Sequence, residues 1–123
     1  MTRGQLIRAF LDSVRKLRND VRNPSADAPA LFAMFAEQAN AFNSDYGAMR
    51  VHATICGEFN KEMASIDSDV HTLTDMAWQL IRCARDRARA MQNVADRTEV
   101  ILSLDKAISG LSLAGEKLKD SKV

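Results

Sequence analysis

The stretch that decides the fold runs from residue 59 to residue 94 and reads FNKEMASIDSDVHTLTDMAWQLIRCARDRARAMQNV. Its apolar residues follow one another in steps of four and three, which is the heptad spacing of a helix that buries one stripe. The stripe consists of Phe59, Met63, Ile66, Val70, Leu73, Ala77, Leu80, Ala84, Met91 and Val94. We call it the heptad seam. It predicts either a core face or a self-association surface.

The helix that carries the heptad seam admits two architectures. One helix over residues 48–93 would be about 68 Å long and would need another chain to cover its overhang. If the Ser65-Ile66-Asp67-Ser68-Asp69 stretch breaks this helix instead, five helices of similar length can close a compact bundle, because Ser and Asp favour helix caps. Both alternatives stay open at this point, and both are all-α.

Three further helices are predicted on either side of this region. Residues 3–22 carry apolar residues at helical spacing, and the pattern ends before Pro24 because the residue before a proline resists the α conformation. A second stripe predicts a helix over 28–46, with Gly47 available to end it. Asp96 and Glu99 form a capping signal for a last helix over 97–118. The fold class is therefore an all-α bundle of four or five helices.

Length and composition indicate one helical domain over residues 1–123. Only five Gly and two Pro interrupt the chain, and 46% of its residues are hydrophobic. No apolar run is long enough for a membrane span or a signal peptide, so we expect a cytoplasmic protein. Cys56 and Cys83 lie far apart in helical patterns, which predicts reduced, partly buried thiols that do not pair.

The net charge of +1 is unevenly distributed along the chain. Residues 1–23 carry +4 and residues 24–75 carry −6, whereas residues 76–97 carry +3 and residues 98–123 are balanced. Blocks of opposite sign favour packing of unlike-charged neighbours within one chain or between chains.

The sequence places its single tryptophan beside three arginines. Successive 100° steps along a helix bring Trp78, Arg82, Arg85 and Arg89 onto one stripe, away from the heptad seam. Trp and Arg are enriched at the energetic centres of protein interfaces, and Arg beside an aromatic ring also suits a nucleic-acid backbone. The alternative is that Trp78 covers a neighbouring helix of the same bundle while the arginines form surface salt bridges.

Two other sets of arginines need an interpretation. Arg8, Arg15 and Arg22 recur every seven residues opposite the apolar face of the first helix, which is typical of a solvated face but also suits an acidic or phosphate surface. Arg87 falls on the apolar side of its helix. It must either extend its charge to the edge of the bundle or pair with an acid across a helix contact.

No constellation of residues points to catalysis, a metal or a cofactor. Asp67, His71 and Asp75 stand at helical spacing for a divalent ion, but acids around a histidine usually form a solvated face. His52 and Cys56 lack further ligands nearby. There is no phosphate-binding glycine loop and no nucleophile motif. We therefore expect neither an enzyme nor a cofactor.

Two functions remain. The first hypothesis is a non-enzymatic protein-protein interaction or assembly subunit, whose partner is a second copy or a different chain. The alternative is a small nucleic-acid-binding subunit that uses the two arginine stripes, although a near-neutral charge and the absence of a recognisable motif weigh against it.

Overall fold

The computed structural model describes residues 2–55, 61–91 and 93–119, and these form four helices without a strand. The helices are α1 (Arg3–Val21), α2 (Ala28–Ile55), α3 (Lys61–Arg89) and α4 (Val94–Lys117). The predicted all-α bundle is confirmed, with four helices as the observed number.

The helices form an antiparallel ring in which each contacts the next and α4 returns to α1. Arg18 of α1 pairs with Asp105 of α4 at 2.9 Å, and Arg50 of α2 pairs with Asp67 of α3 at 2.8 Å. Of the four neighbouring pairs, α2 and α3 make the most limited contact. In this ring the α2–α3 side lies opposite the α1–α4 side.

Aromatic rings fill the core at the α1–α2 contact. Phe10 stacks on Phe42 with the ring centroids 4.2 Å apart, and it also contacts Phe35 at 5.7 Å. Phe42 continues the stack to Tyr46 at 5.6 Å. Such aromatic contacts add to the favourable free energy of burying the rings. The rings hold α2 against α1 between residues 35 and 46 of α2, which is the part of α2 that also faces α3.

The predicted boundaries hold for α1 and for the start of α2, but α2 is longer than predicted. It continues to Ile55, because a glycine inside a helix costs only about 1 kcal/mol and the stripe is prolonged by the buried Ala53. The expectation that Gly47 ends the helix was wrong.

The two architectures proposed for residues 48–93 are both corrected. The helix α3 passes through residues 65–69 without a break, so the predicted breaking stretch is helical. One continuous helix is wrong as well, because it would hold Arg50 and Asp67 about 25 Å apart, whereas the two side chains are in contact.

The last helix begins three residues before the predicted start. Asn93 accepts a hydrogen bond from the Asp96 backbone N–H at 3.0 Å, and the Asp96 side chain accepts one from the Asn93 backbone. Asp96 is therefore the third helical residue of a capping box and not its cap.

Near this helix start, Arg97 joins α4 to the end of α1. Its guanidinium donates to the backbone carbonyls of Val21, Asn23 and Ala26. These are carbonyl groups at a helix end and its loop, which a cation stabilises.

The heptad seam lies inside the bundle. Val70, Ala77 and Ala84 are buried. Five more seam residues are half-buried. Four of them pack against the core, namely Ile66, Leu73, Leu80 and Met91, and the fifth is Met63. Val94 belongs instead to the first turn of α4 and is 81% exposed, while Phe59 lies outside the described residues. Apart from Val94, the described part of the seam is thus wholly or partly covered within one chain.

The structure also bears on the predictions for Arg87 and for the two cysteines. The Arg87 side chain is 57% exposed and its guanidinium lies 3.9 Å from Glu99 of α4, so it sits at the bundle edge beside an acid. Cys83 is exposed, which corrects the expected partial burial, and Cys56 lies outside the described residues. No described helix is long and apolar enough to cross a membrane.

Candidate binding groove between α2 and α3

Trp78 projects from α3 into the space between α2 and α3. The side chain is half-buried, and its ring lies 6.5 Å from the Phe10 ring with a 35° tilt. It therefore contacts the core and still keeps an exposed edge. Two cavities open on either side of Trp78, and we call the channel that contains both the α2–α3 groove.

The smaller cavity has a volume of about 60 Å³ and is mostly apolar. Its walls are Phe32, Phe35, Ala36, Ala39, Asn40, Trp78, Ile81, Arg82 and Arg85. The two arginines stand on the α3 side of this apolar floor. The structure thus brings together three of the four predicted residues of the tryptophan stripe in one depression.

The arginines of this stripe differ in their ion pairing. Arg85 contacts Asp86, its neighbour in sequence, at 3.2 Å. Arg82 and Arg89 are exposed and have no ion pair within the described chain. Arg89 lies further along α3 and does not line the cavity. The end of the groove near residues 82–89 therefore carries a positive charge that the described residues do not neutralise.

The larger cavity has a volume of about 220 Å³ and mixed polarity. Its walls are Phe42, Asn43, Tyr46, Gly47, Arg50, Val51, His71, Thr74, Asp75 and Trp78. A Cβ atom added to Gly47 would meet nothing within 4 Å, so the missing side chain of Gly47 keeps this part of the wall open.

One end of the larger cavity adjoins a charge cluster that sequence reasoning missed. Arg3 is completely buried, and its Nη1 donates to Asp67 Oδ1. Arg50 Nε donates to the other carboxylate oxygen of Asp67 at 2.8 Å. Two guanidinium groups thus share one carboxylate. Residues 63, 67, 70, 74 and 77 follow one another in steps of four and three on α3. Reading this spacing from the sequence would have shown that Asp67 lies on the face of α3 that points to the core.

Tyr46 connects this cluster to the cavity. The Arg3 guanidinium lies over its ring, 5.9 Å from the centroid. Its hydroxyl is buried and makes no hydrogen bond of good geometry among the described residues, although the Arg3 guanidinium lies close enough to interact with it. Burial raises the pKa of Tyr46 above its ordinary value, and the nearby Arg3 charge opposes part of this rise. The hydroxyl is accordingly protonated at neutral pH and able to donate.

The metal arrangement considered from sequence does not assemble. Asp67 is committed to Arg3 and Arg50, so it cannot join His71 and Asp75 around an ion. The described residues contain no group of three potential ligands placed to hold a metal. Of the pair His52 and Cys56, only His52 lies within the described residues, and it is exposed.

The second arginine stripe lies on another side of the molecule. Arg8, Arg15 and Arg22 are all exposed. The first two line a cleft between α1 and α4 together with Asp12 and Glu116. This cleft is opposite the α2–α3 groove in the helix ring, and acids alternate with its arginines. The two stripes do not form one continuous basic surface.

Comparison of this chain with family models, curated proteins and solved structures gives no match.

Proposed function

We propose that the protein is a non-enzymatic interaction subunit that binds an acidic amphipathic helix of another protein chain in the α2–α3 groove. The observation that carries the proposal is the half-buried Trp78, which stands between two cavities on the side where the bundle is most open. A rigid aromatic anchor in a concave apolar site is the usual centre of a protein interface.

The shape of the groove supports a helical partner. From Phe32 to Arg50, the wall that α2 contributes extends over 19 residues, and the 18 steps between them span about 27 Å along the helix. A partner helix of that length can place apolar residues on Phe35, Trp78 and Ile81 at successive turns. This is the mode in which amphipathic helices occupy grooves.

The charge of the groove supports an acidic partner. Arg82, Arg85 and Arg89 follow one another on α3, and only Arg85 has an ion-pair contact there, with Asp86. Acidic residues along one edge of the partner would meet these guanidinium groups and raise the association rate. A nucleic-acid function has less support, because Arg8 and Arg15 lie on the opposite side of the bundle.

The proposal is tested by reversing the charge of two arginines in the α2–α3 groove and, as a control, of two arginines in the cleft between α1 and α4. The tagged wild-type chain is crosslinked in its native source, and each recovered protein is purified and titrated against three chains: the wild type, Arg82→Glu/Arg85→Glu, and the control Arg8→Glu/Arg15→Glu. We expect the groove variant to bind a partner at least about tenfold more weakly, while the control binds within about threefold of the wild type.

Two results would contradict the proposal. One is equal loss in both double variants, since that indicates a general charge effect. The other is retention on an oligonucleotide that falls steeply with salt and depends on both faces, because a phosphate backbone would then be the ligand. Light scattering of the purified chain shows in parallel whether the partner is a second copy.

A further inference from the structure

The side of α2 that faces away from the core carries a row of exposed residues at regular spacing. The row lies about half a turn, roughly 170°, from the buried side chains of Phe35, Phe42 and Tyr46. Its members follow steps of four and three along the helix, and all are exposed: Ala30, Met34, Glu37, Ala41, Ser44, Ala48, Val51 and Ile55. We call this row the outer stripe of α2. It has the heptad spacing of a helix that packs against another helix.

The outer stripe is apolar, whereas the solvated face of a helix is normally charged or polar. Met34, Val51 and Ile55 are 74%, 58% and 77% exposed, and they are three of the seven large apolar side chains exposed in the described part of the chain. Of the 17 exposed residues of α2, only Glu37 and Asp45 are acidic and none is Lys or Arg. Among the described helices, α2 contacts α1 and α3, and neither covers this stripe.

We infer that the outer stripe of α2 binds the same stripe of a second copy of this chain, with the two helices antiparallel. In this arrangement each member of the stripe lies opposite another member. The layers pair Ala30 with Ile55, Met34 with Val51, Glu37 with Ala48, and Ala41 with Ser44, and each layer occurs twice. A surface that complements itself in this way is what a two-fold symmetric dimer requires.

The single charge of the outer stripe favours the antiparallel arrangement. In a parallel pair, Glu37 would lie directly opposite Glu37 of the second copy, and like charges at a helix contact are unfavourable. In the antiparallel pair, Glu37 lies opposite Ala48, whose small side chain lets the carboxylate extend to the solvent. The small Ala41 and Ser44 at the centre let the two backbones approach closely. A second copy fits better than a charged foreign helix, because the stripe has no basic residue and one acid to select such a helix.

The exposed area of α2 is sufficient for a weak dimer. A specific interface buries about 800 Å² on each partner over about 20–30 residues, which is roughly 30–40 Å² per residue. The 17 exposed residues of α2 can therefore bury at most roughly 500–700 Å² per copy. The total of about 1,000–1,400 Å² is at the lower end of stable interfaces, so we expect a dissociation constant of about 1–100 μM.

The antiparallel register is tested by giving one layer of the interface opposite charges. Met34→Lys and Val51→Glu each place a charge against an apolar residue of the second copy, so each alone should weaken the dimer at least about tenfold. The double variant Met34→Lys/Val51→Glu places Lys opposite Glu in both layers, so its affinity should return to within about threefold of the wild type. Within one chain the two positions are about 26 Å apart along α2, so the new charges cannot pair there.

The measurement is sedimentation equilibrium of the full chain from about 1 μM to about 1 mM, with unfolding in urea as a check that each variant is folded. Leu113→Lys is the matched control, because Leu113 is also an exposed apolar residue, 52% exposed, but lies on α4. It should dimerise like the wild type. Arg82→Glu/Arg85→Glu should do so as well, because the outer stripe shares only Val51 with the walls of the α2–α3 groove. Dimerisation and the proposed groove function can therefore fail separately.

Four outcomes would overturn the inference. The first is a wild-type chain that stays monomeric over the whole concentration range. The second is a folded Met34→Lys variant that dimerises with the wild-type affinity, because the outer stripe would then not be the interface. The third is a double variant that binds no more tightly than Met34→Lys alone, because residues 34 and 51 would then not lie opposite each other. The fourth is loss of the dimer in Arg82→Glu/Arg85→Glu, which would place self-association in the α2–α3 groove.

Discussion

Asp67 is the only described carboxylate that is buried, and three helices depend on it. It accepts hydrogen bonds from Arg3 at the start of α1 and from Arg50 near the end of α2, while it belongs to α3 itself. A buried ion cluster contributes less to stability than its contacts suggest, because each charge must first lose its water. We expect its stronger effect to be on the register of the helices, since sliding one helix along its axis would separate Asp67 from at least one of the two guanidinium groups.

Replacing Asp67 by Asn tests this account at the scale of one residue. The change removes the carboxylate that Arg3 and Arg50 both contact while Arg3 stays buried, so we expect the free energy of unfolding in urea to fall by about 3–5 kcal/mol. The control is Asp69→Asn, because Asp69 is 61% exposed and lies 3.7 Å from Lys117. That control should change the free energy by less than about 1 kcal/mol. If both variants lost a similar free energy of unfolding, the buried contacts of Asp67 would stabilise the fold no more than an exposed ion pair does.

The raised pKa of Tyr46 predicts a pH dependence of stability. Burial favours the neutral phenol in the folded state, so its contribution to stability is complete below the ordinary pKa of 10.0 and is lost as pH rises through the higher folded-state value. We compare the wild type with Tyr46→Phe in urea from about pH 8 to about pH 11. The wild type should lose stability relative to the variant only in the alkaline part. A difference in stability between the two proteins that stays constant with pH would contradict the raised pKa of Tyr46.

At the residue scale, the sequence predicted which residues lie close together on a helix face, but it did not predict which of them form long-range ion pairs. It placed Trp78, Arg82 and Arg85 on one stripe, and these three residues do line one cavity. It considered Asp67 only as a helix breaker or a metal ligand. Its partners lie 64 and 17 residues away in sequence, and a contact over such distances leaves no local pattern to find.

At the scale of elements, α2 differs from its neighbours in its low charge. Glu37, Asp45 and Arg50 are its only Asp, Glu, Lys or Arg residues in 28 positions. The sequence predicted where α2 starts but not where it ends, because Gly47 resembles a terminating residue when seen alone. The helix continues because contacts beyond Gly47, such as the pairing of Arg50 with Asp67, outweigh the local cost of glycine.

Two glycines give a matched prediction about the helices. Gly47→Ala should raise the free energy of unfolding by about 0.5–1 kcal/mol, because the new methyl group meets nothing within 4 Å and alanine favours the helix. Gly4→Ala should lower it by about 1 kcal/mol, because its Cβ would lie 3.1 Å from the Leu118 carbonyl oxygen in the α1–α4 contact. Urea unfolding of both variants checks the signs. Stabilisation by both changes would mean that α1 and α4 are less closely packed.

At the scale of the whole molecule, the ring of four helices separates two kinds of surface. The α1–α4 cleft combines Arg8 and Arg15 with acids, whereas the α2–α3 groove combines aromatic rings with arginines that are largely unneutralised. The sequence alone could not separate them, because it shows which face of a helix is polar but not which helix lies beside it. Only the order of helices in the ring puts the two arginine stripes on opposite sides.

The central claim is that Trp78 anchors a partner helix, and Trp78→Ala tests it most directly. The binding of the purified crosslinked partner and unfolding in urea are measured on the same protein. Because Trp78 is half-buried and contacts Phe10, we expect a loss of about 1–2 kcal/mol in stability, below the 3–5 kcal/mol typical of fully buried aromatics. Binding should weaken by about 2 kcal/mol or more in the folded protein. Unchanged affinity of the folded variant for the partner would contradict the claim.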